Sequence, residues 1–437
     1  MDVSRRQFLG TSAAAVFVAG SMGRNVWGAN DRVRIGVAGI RGRGNSVAGG
    51  LNQVDGTEIV ALCDIDRNIL EDRADEWEER NDGARPAAYE DIRDMIADDS
   101  VDVIALGTPN HWHSLPTMWG IEAGKDVFVE KPMSHNVWEG RQIVEAVKDK
   151  DVIVQHGTQR RSSRRWIRAM ERMREGVIGD VYMGRGICFR ERNSIGFEPI
   201  SDPPDHINWT LFQGPVPEMA YHDNYVHYNW HWFFEFGNGE IGNQGVHQTD
   251  IGIWGIGKGL PTRVFSEGGR YGYEDQATTP NTQTSVFMWP DGTKFVFDVR
   301  GRYSFHEEGN NVANSFFGSD GWMMEGTLYD TDNNEIPDEG SEAEEAEERI
   351  AELTTGNHYE DFINAVRSRR KEDIHGTALD GHESSCICHL ANISYQLKRE
   401  LTFDPASELF VNDEEANNHF MRRREYRPGF EVTSYTG

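Results

Sequence analysis

From Val33 onward, short apolar runs rich in β-branched residues alternate with helical segments, and this alternation constrains the fold more than any other feature of the chain. Strands that are joined through helices pair in parallel, and strands covered on both faces are mostly apolar. We therefore predict a doubly wound parallel α/β sheet, with strands at Val33–Ala38, Glu58–Cys63, Val101–Leu106, Asp126–Val129 and Val152–Gln155, and with helices ending near 53 and spanning 67–79, 115–123 and 138–148.

The pattern changes after Gln155. A helix at 164–175 is followed by strand-like runs that are separated by Gly, Pro and Asp turns. We expect strands at 263–267, 284–289, 294–300 and 322–326, helices at 359–368 and 385–399, and a solvated loop or helix start in the acidic run 338–348. The second part is therefore predicted to be an α+β domain with a large, mostly antiparallel open sheet.

Length and charge limit the possible partners. A chain of 437 residues is too long for one core, so we predict two domains, at 30–155 and 156–437. The formal net charge of −28 repels phosphates, which argues against nucleic acid and against an anionic membrane as partners. The four cysteines give no disulfide framework, and we expect all of them to be small core residues.

The first 29 residues have the layout of a twin-arginine signal peptide. Ser4-Arg5-Arg6-Gln7-Phe8-Leu9-Gly10 precedes a short run of small and apolar residues, and small residues follow near Ala29. The alternative is a chance Arg-Arg pair before a buried helix. The signal predicts export, with a periplasmic location and a cofactor loaded before export.

A glycine-rich turn follows the first strand. In the sequence Gly39-Ile40-Arg41-Gly42-Arg43-Gly44, the first and last glycines fit a dinucleotide-binding fingerprint, but Arg41 occupies the middle position. Gly42 can restore clearance for a pyrophosphate. Asp64 ends the second strand, where a carboxylate accepts the ribose hydroxyls of NAD and repels the extra phosphate of NADP. The alternative is that Asp64 caps the next helix, for which Asp66 is the better candidate.

Two further segments end parallel strands, where open α/β sheets bind ligands. One contains Thr108, Pro109, Asn110 and His113, and the other is Glu130-Lys131-Pro132. A lysine beside a nicotinamide can polarise a substrate hydroxyl, which makes Lys131 a catalytic candidate. The alternative for Glu130-Lys131-Pro132 is a salt-bridged surface turn.

Together these segments resemble the Gfo/Idh/MocA oxidoreductases, over essentially all of the mature chain. The stretch 237–250, with Asn243, His247 and Asp250, is similar to the family's glycine-rich turn and D-x-G-x-H-x-x-D helix. The resemblance implies that His247 is the catalytic acid/base and Lys131 its partner. Because Asn243 replaces the usual aspartate, we expect the pKa of His247 near its ordinary value of about 6.5. The alternative is a structural hydrogen bond between His247 and Asp250.

Aromatic residues and histidines crowd the stretch 221–232, which we interpret as a carbohydrate-binding wall. A metal site from His222, His227 and His231 is the alternative, and we expect no metal. Gln159 and Arg160 follow the predicted strand Val152–Gln155 and can reach the nicotinamide or the substrate, or can serve as a helix cap and a salt bridge. The predicted cofactor residues are Gly39, Ile40, Arg41, Gly42, Arg43, Gly44, Asp64, Thr108, Pro109, Asn110, His113, Glu130, Lys131 and Gln159, and the predicted substrate residues are Lys131, Arg160, Tyr228, Trp230, Asn243, His247 and Asp250.

These features predict an exported enzyme that transfers hydride between NAD and a hydroxyl of a sugar, glycoside or cyclitol. Free NAD is scarce outside the cytoplasm, so the cofactor should stay bound and be recycled in place. A second carbonyl substrate can take the hydride back, or a glycoside can be cleaved through transient oxidation and elimination. A non-catalytic sugar-binding protein is the remaining alternative. We also expect a homo-oligomer, a dimer or a tetramer, formed through the open sheet.

Overall fold

The computed structural model describes residues 32–435, and the predicted signal peptide lies outside them. Residues from Val33 onward form one compact unit. Its first sheet has six parallel strands in the order β3-β2-β1-β4-β5-β6. The strands are β1 (Val33–Ala38), β2 (Thr57–Cys63), β3 (Ala87–Tyr89), β4 (Val103–Leu106), β5 (Asp126–Val129) and β6 (Val154–His156).

Helices cover both faces of this sheet, which explains why its strands are apolar. They are α1 (Gly42–Asn52), α2 (Arg67–Arg80), α3 (Ile92–Ala97), α4 (Ser114–Glu122) and α5 (Val137–Lys148). One buried cluster contains Ile104 and Val129 together with Leu115 of α4, and another contains Val37 and Val103 together with Val47 of α1. The doubly wound sheet is confirmed, and β3 and α3 are additions that the sequence analysis missed.

The second sheet has nine strands in the order β13-β12-β11-β7-β10-β9-β8-β14-β15. All neighbouring pairs are antiparallel except β7 with β10, so the predicted mostly antiparallel sheet is confirmed. The strands are β7 (Met183–Cys188), β8 (Arg263–Gly269), β9 (Thr282–Met288), β10 (Lys294–Arg300), β11 (Val312–Phe317), β12 (Gly321–Met324), β13 (Thr327–Asp330), β14 (Leu401–Asp404) and β15 (Leu409–Phe410).

One face of this sheet packs on helices. The buried Phe295 and Phe297 of β10 lie on the covered face and share a cluster with Val246 and Ile387. The remaining helices are α6 (Arg164–Arg174), α7 (Trp209–Gln213), α8 (Gly239–Asn243), α9 (Gly245–Ile256), α10 (Ser341–Leu353), α11 (His358–Ser368), α12 (Ala378–Leu397) and α13 (Glu414–Asn417). The acidic run therefore leads into a helix, α10.

Helix α12 packs against α5, which covers the first sheet. It also packs against α9 and against β8 of the second sheet. It begins at Ala378, seven residues before the expected start, because Thr377 and Asp380 form a capping box there. Helix α11 packs on the first sheet instead, with the Phe362 and Phe128 rings 5.6 Å apart. The domain boundary at 155/156 stays a prediction.

All four cysteines are free and buried, as expected for small core residues. In the described part of the chain, no helix combines the length and the apolar character needed to cross a membrane. Within residues 32–435 no three His, Cys, Asp or Glu side chains are arranged to hold a metal ion.

Candidate active site

A cleft of about 700 Å³ opens at the carboxyl ends of the parallel strands. Most of the residues predicted for the cofactor and the substrate line it. They are Gly39, Arg41, Gly42, Arg43, Asp64, Thr108, Pro109, Asn110, His113, Glu130, Lys131, Gln159, Tyr228, Trp230, Asn243 and His247. The fold therefore collects residues from 39 to 247 around one space.

The glycine turn after β1 packs tightly against the turn after β4. Gly39 has a φ of +74°, and a Cβ there would lie 2.6 Å from the Thr108 nitrogen. A Cβ on Gly44 would lie 1.8 Å from the Gly39 oxygen, and one on Gly107 would lie 2.5 Å from the Gly44 Cα. Side chains are excluded at these three positions by backbone, so the turn is shaped by close packing.

Gly42 differs from Gly39 and Gly44 because a Cβ there would meet no atom of the described part of the chain within 4 Å. It is the first residue of α1. Among the residues that the structure describes, no side chain caps the N-terminus of this helix, which leaves its first N–H groups for a ligand. Arg41 is exposed at the rim. Arg43 bends away to Glu130, with its Nη2 2.7 Å from Oε1. The open space over Gly42 and the uncapped helix fit the pyrophosphate of a dinucleotide.

Asp64 lies beside this turn. Its carboxylate accepts hydrogen bonds from the Ile40 and Asp66 main-chain N–H groups, at 3.0 and 3.1 Å. Burial raises the pKa of Asp64 to about 6, against the opposing effect of these bonds. Asp66 caps α2 by accepting from the N–H groups of Asn68 and Ile69. Asp64 is therefore not the helix cap, and it can accept hydroxyls in the cleft.

His113 and Asn110 tie the cleft walls together. The ring nitrogens of His113 lie 2.5 Å from the Pro132 carbonyl oxygen and 2.8 Å from that of Thr108. Burial lowers the pKa of His113. The Asn110 amide donates to Asn238 over 3.2 Å, which links the first sheet to the turn before α8. These contacts fix the loop that carries Lys131.

The Lys131 ammonium donates a hydrogen bond to the main-chain oxygen of Asn243 over 2.8 Å. Burial lowers the pKa of Lys131, and the charges of Arg43 and Arg190 add to this effect, whereas Glu130 opposes it. The segment is not a surface turn with an exposed Lys131 salt bridge, because Glu130 pairs with Arg43 and Lys131 lies in the cleft.

His247 is in the first turn of α9, and its imidazole makes no hydrogen bond to any residue in the range 32–435. Asp250 instead pairs with Arg161, with the Nε of Arg161 2.8 Å from Oδ1. The alternative of a His247–Asp250 hydrogen bond is therefore wrong. The expected pKa near 6.5 is also wrong: burial, together with the charges of Lys131 and Arg160, lowers the pKa of His247 well below that value.

The aromatic wall is built around a short helical turn, Asn229–Trp232. The Nδ1 of His231 lies 2.6 Å from the Tyr228 carbonyl oxygen, and its ring stacks on Trp230 at a centroid distance of 3.6 Å. Tyr228 is 51% exposed, so its ring is available to a ligand. Nearby, His227 pairs with Asp66 over 3.0 Å, which separates it from His231.

Four predicted residues do not line the cleft. Ile40 is buried beneath the turn and Gly44 is packed against Gly39. The guanidinium of Arg160 lies 3.1 Å from Glu325, so Arg160 forms the salt bridge that was the alternative for it. Asp250 pairs with Arg161. In each pair the two partners lie far apart in the sequence, so spacing alone gave no sign of these contacts.

Several residues that line the cleft were not predicted from the sequence. Arg190 follows β7, and its guanidinium has no hydrogen bond or ion pair with any residue that the structure describes. Gln244 lies next to His247 in the helix start. Leu211 and Phe212 of α7 form an apolar part of the cleft wall. The end of the cleft beyond Asp64 is lined by Glu90, Asp91 and Ile92. Arg190 was not predicted because the glycines of β7 interrupt its strand pattern, so the strand that precedes Arg190 was not recognised.

Comparison with known proteins agrees with this fold. Residues 33–158 match the family model "Oxidoreductase family, NAD-binding Rossmann fold" and residues 193–428 match "Oxidoreductase family, C-terminal alpha/beta domain". Curated relatives include a "Glycosyl hydrolase family 109 protein" of Shewanella baltica, 29% identical over 167 residues. That match covers 37% of this chain and 36% of the relative, so the two share only about a third of their lengths.

Solved structures share the fold at low sequence identity. The WlbA dehydrogenase of Bordetella pertussis, in complex with NADH and UDP-GlcNAcA, is 19% identical with a TM-score of 0.64, over 86% of this chain and 99% of that one. The scyllo-inositol dehydrogenase of Lactobacillus casei is 16% identical with a TM-score of 0.58, over 85% and 98%. Since the two family models together span most of the chain, with an NAD-binding Rossmann fold in its first part, the protein belongs to the Gfo/Idh/MocA oxidoreductase family.

Proposed function

We propose that this protein oxidises a hydroxyl-bearing carbon of a sugar, glycoside or cyclitol to a carbonyl, or reduces that carbonyl in the reverse direction, with NAD as its cofactor. The observation that carries the proposal is that Lys131 and His247 line the same cleft as the glycine turn and Asp64. A dinucleotide held by the turn and by Asp64 would extend along the cleft toward these two side chains. NAD, when bound there, supplies hydride acceptance and donation.

The two side chains have complementary roles in this proposal. Burial and nearby cations lower the pKa of His247, so its imidazole is neutral at neutral pH and has a lone pair for the substrate hydroxyl proton. Lys131 brings a cation to the same space and stabilises the developing alkoxide oxygen. Removal of the proton and stabilisation of the oxygen both favour loss of hydride from the carbon.

Redox-neutral cleavage of a glycoside is the second candidate function. It is favoured by the Shewanella relatives named as glycosyl hydrolase family 109 proteins, which match this chain over about a third of its length. In that reaction the same residues would act on a ring hydroxyl, and elimination, addition of water and reduction would follow. The product would be a free sugar with no net oxidation.

We also propose that the protein is exported by the twin-arginine pathway with its cofactor bound, on the strength of residues 1–29. Fusion of these residues to a reporter would test this. Export should require Arg5 and Arg6, and a double substitution to lysine should stop it. Secretion that is unaffected by the double substitution would contradict the proposal.

The outer face of the second sheet supports the proposal of a homo-oligomer. Phe265 of β8 is 37% exposed, and Val286 of β9 and Val296 of β10 are only partly buried. A second copy would cover these side chains. Light scattering after gel filtration should give a dimer or a tetramer, and a monomer at micromolar concentration would exclude it.

The functional proposal is tested by denaturing the purified protein and analysing released nucleotide. We expect NAD or NADH in about equimolar amount. Free sugars, cyclitols and aryl glycosides should then be offered, with identification of the products. A keto-sugar or lactone supports net oxidation, and a free sugar from a glycoside supports cleavage. Absence of nucleotide together with no affinity for added NAD would overturn the enzyme proposal and favour a sugar-binding protein.

A further inference from the structure

His231 is held in one orientation by two contacts. Its Nδ1 lies 2.6 Å from the main-chain oxygen of Tyr228, and its ring stacks on Trp230 with an interplanar angle of 19°. A carbonyl oxygen can only accept, so the hydrogen of the imidazole is on Nδ1. The Nε2 atom is therefore left with a free lone pair.

This lone pair is available to a ligand. His231 lines the cleft, and its Nε2 has no hydrogen-bond partner among residues 32–435 and is not sealed inside the protein. Burial and the charge of Lys131 lower the pKa of His231 to about 3, whereas the bond to Tyr228 opposes the shift. The ring is therefore neutral at working pH and offers a hydrogen-bond acceptor in a fixed place.

Lys131 relates this acceptor to the reacting group. Its charge lowers the pKa of both His231 and His247, and all three residues line the cleft. Two neutral imidazoles and one ammonium group therefore line the same cleft. In the proposed reaction a single hydroxyl uses Lys131 and His247, which leaves the His231 acceptor for another hydroxyl.

We propose that His231 Nε2 accepts a hydrogen bond from a second hydroxyl of the substrate, other than the one that is oxidised, so that the substrate carries at least two hydroxyls. This inference rests on the proposed function and deepens it. The hydrogen bond fixes which of several similar ring hydroxyls reaches Lys131 and His247. A substrate without this second hydroxyl would leave the His231 acceptor without its hydrogen bond in the complex, which a polar site rejects strongly.

The test is a double-mutant cycle in which the His231 side chain and the substrate hydroxyl are removed separately and together. His231→Asn keeps an amide that can bond to Tyr228 but has no acceptor at the Nε2 position, whereas His231→Gln can restore an acceptor there. His306→Gln is the matched control, because His306 is exposed outside the cleft. The probes are myo-inositol, scyllo-inositol and methyl glucosides, galactosides and mannosides, together with the monodeoxy analogues of the probe that binds best.

We expect one deoxy analogue to lose about 10- to 100-fold in kcat/KM with the wild-type protein. In His231→Asn the parent diol should show that loss, mainly in KM, and removal of the hydroxyl should then cost less than about threefold. His231→Gln should recover part of the affinity, and His306→Gln should behave as the wild type. Equal deoxy losses in wild type and His231→Asn would overturn the inference.

Calorimetric binding to the NADH-loaded protein, which cannot oxidise a hydroxyl, is combined with a hydride-transfer assay on the NAD-loaded protein, and together they separate this inference from the proposed function. If diols bind and the His231 coupling appears in Kd, but no hydride is transferred, then only the proposed function fails. If hydride is transferred from the probes to NAD without coupling to His231, only the inference fails. If none of the probes binds to the NADH-loaded protein, the inference is overturned.

Discussion

The Lys131 ammonium donates to the main-chain oxygen of Asn243 over 2.8 Å, and this contact joins the end of β5 to the last residue of α8. The contact uses the backbone of Asn243, so it does not depend on which side chain is present there. The amide of Asn243 leaves Lys131 without a carboxylate at this position. Lys131 thus bridges the cleft, and burial lowers the pKa of its ammonium group.

Replacement of Lys131 should stop the chemistry and leave the cofactor bound. In Lys131→Met we expect kcat to fall about 100-fold or more, because the developing alkoxide loses its cation. NAD affinity should stay within about threefold, since the turn and Asp64 are unchanged. Stopped-flow nicotinamide absorbance gives the first quantity and calorimetry the second. Lys150→Met is the control, because Lys150 is exposed outside the cleft. An unchanged kcat in Lys131→Met would remove Lys131 from the reaction.

The pH dependence of hydroxyl oxidation should report the lowered pKa of Lys131. The ammonium form is required, so the rate should decrease as pH rises through that pKa, below the ordinary 10.5. The positive charge of Arg190 contributes to the lowering. Arg190→Gln should therefore move the alkaline limb of kcat/KM to higher pH, whereas Lys150→Gln should not move it.

Asn243→Asp tests the same effect of charge on the pKa of Lys131, by adding a carboxylate instead of removing a cation. A carboxylate introduced beside Lys131 favours the ammonium form and should also move the alkaline limb upward. Arg190→Gln removes a positive charge and Asn243→Asp adds a negative one. Both changes favour the ammonium form of Lys131, so both should move the alkaline limb to higher pH. A downward shift with either variant would show that the limb belongs to another group.

The first sheet could be predicted from the sequence because its strands are continuous apolar runs. Val33–Ala38 and Asp126–Val129 have the predicted bounds. The strand β3 was missed because Ala87–Tyr89 is a three-residue, mostly exposed edge strand without such a run. Periodicity identifies buried strands and gives little signal at an edge.

The second sheet could be predicted only in part, since packing decides some of its strands. β10 alternates buried aromatic residues with more exposed ones and was predicted at its observed bounds. β7 contains Gly184 and Gly186, which break a strand pattern. A Cβ on Gly186 would lie 2.8 Å from the Phe297 ring, so glycine is required by the neighbouring strand and not by a turn. Arg190 was missed with β7.

The site was predictable where a residue type acts through the backbone or at a strand end, as with Gly39 and Lys131. The roles of Asp250 and Arg160 were set by Arg161 and Glu325, which only the folded chain brings near. The pKa of His247 also depends on cations from several segments. Pairings across long sequence distances are what a single sequence does not show.

Asp64 should control both cofactor choice and the acid side of NAD binding. With its pKa near 6, the carboxylate is ionised at neutral pH and becomes protonated as the pH falls. Protonation removes an acceptor for ribose hydroxyls, so NAD affinity should decrease as the pH falls from 7 to 5. In Asp64→Asn the affinity should be about tenfold lower at pH 7 and nearly independent of pH, and the preference for NAD over NADP should shrink. Calorimetry on nucleotide-free protein measures these quantities, and a pH-independent wild-type affinity would contradict the role.

A matched pair of glycine substitutions separates the folding role of the turn from its binding role. In Gly44→Ala the new methyl group meets the Gly39 oxygen at 1.8 Å, so the backbone must move. We expect a loss of about 1–3 kcal/mol in the free energy of unfolding, measured with urea on the nucleotide-free protein. In Gly42→Ala the methyl group enters open space, so the same measurement should change by less than about 0.5 kcal/mol. Its effect should instead appear in NAD affinity, reduced about tenfold or more, because the methyl group occupies space that we assign to the pyrophosphate. Wild-type NAD affinity in Gly42→Ala would show that the nucleotide does not approach the turn there, even if Gly44→Ala is destabilised as expected.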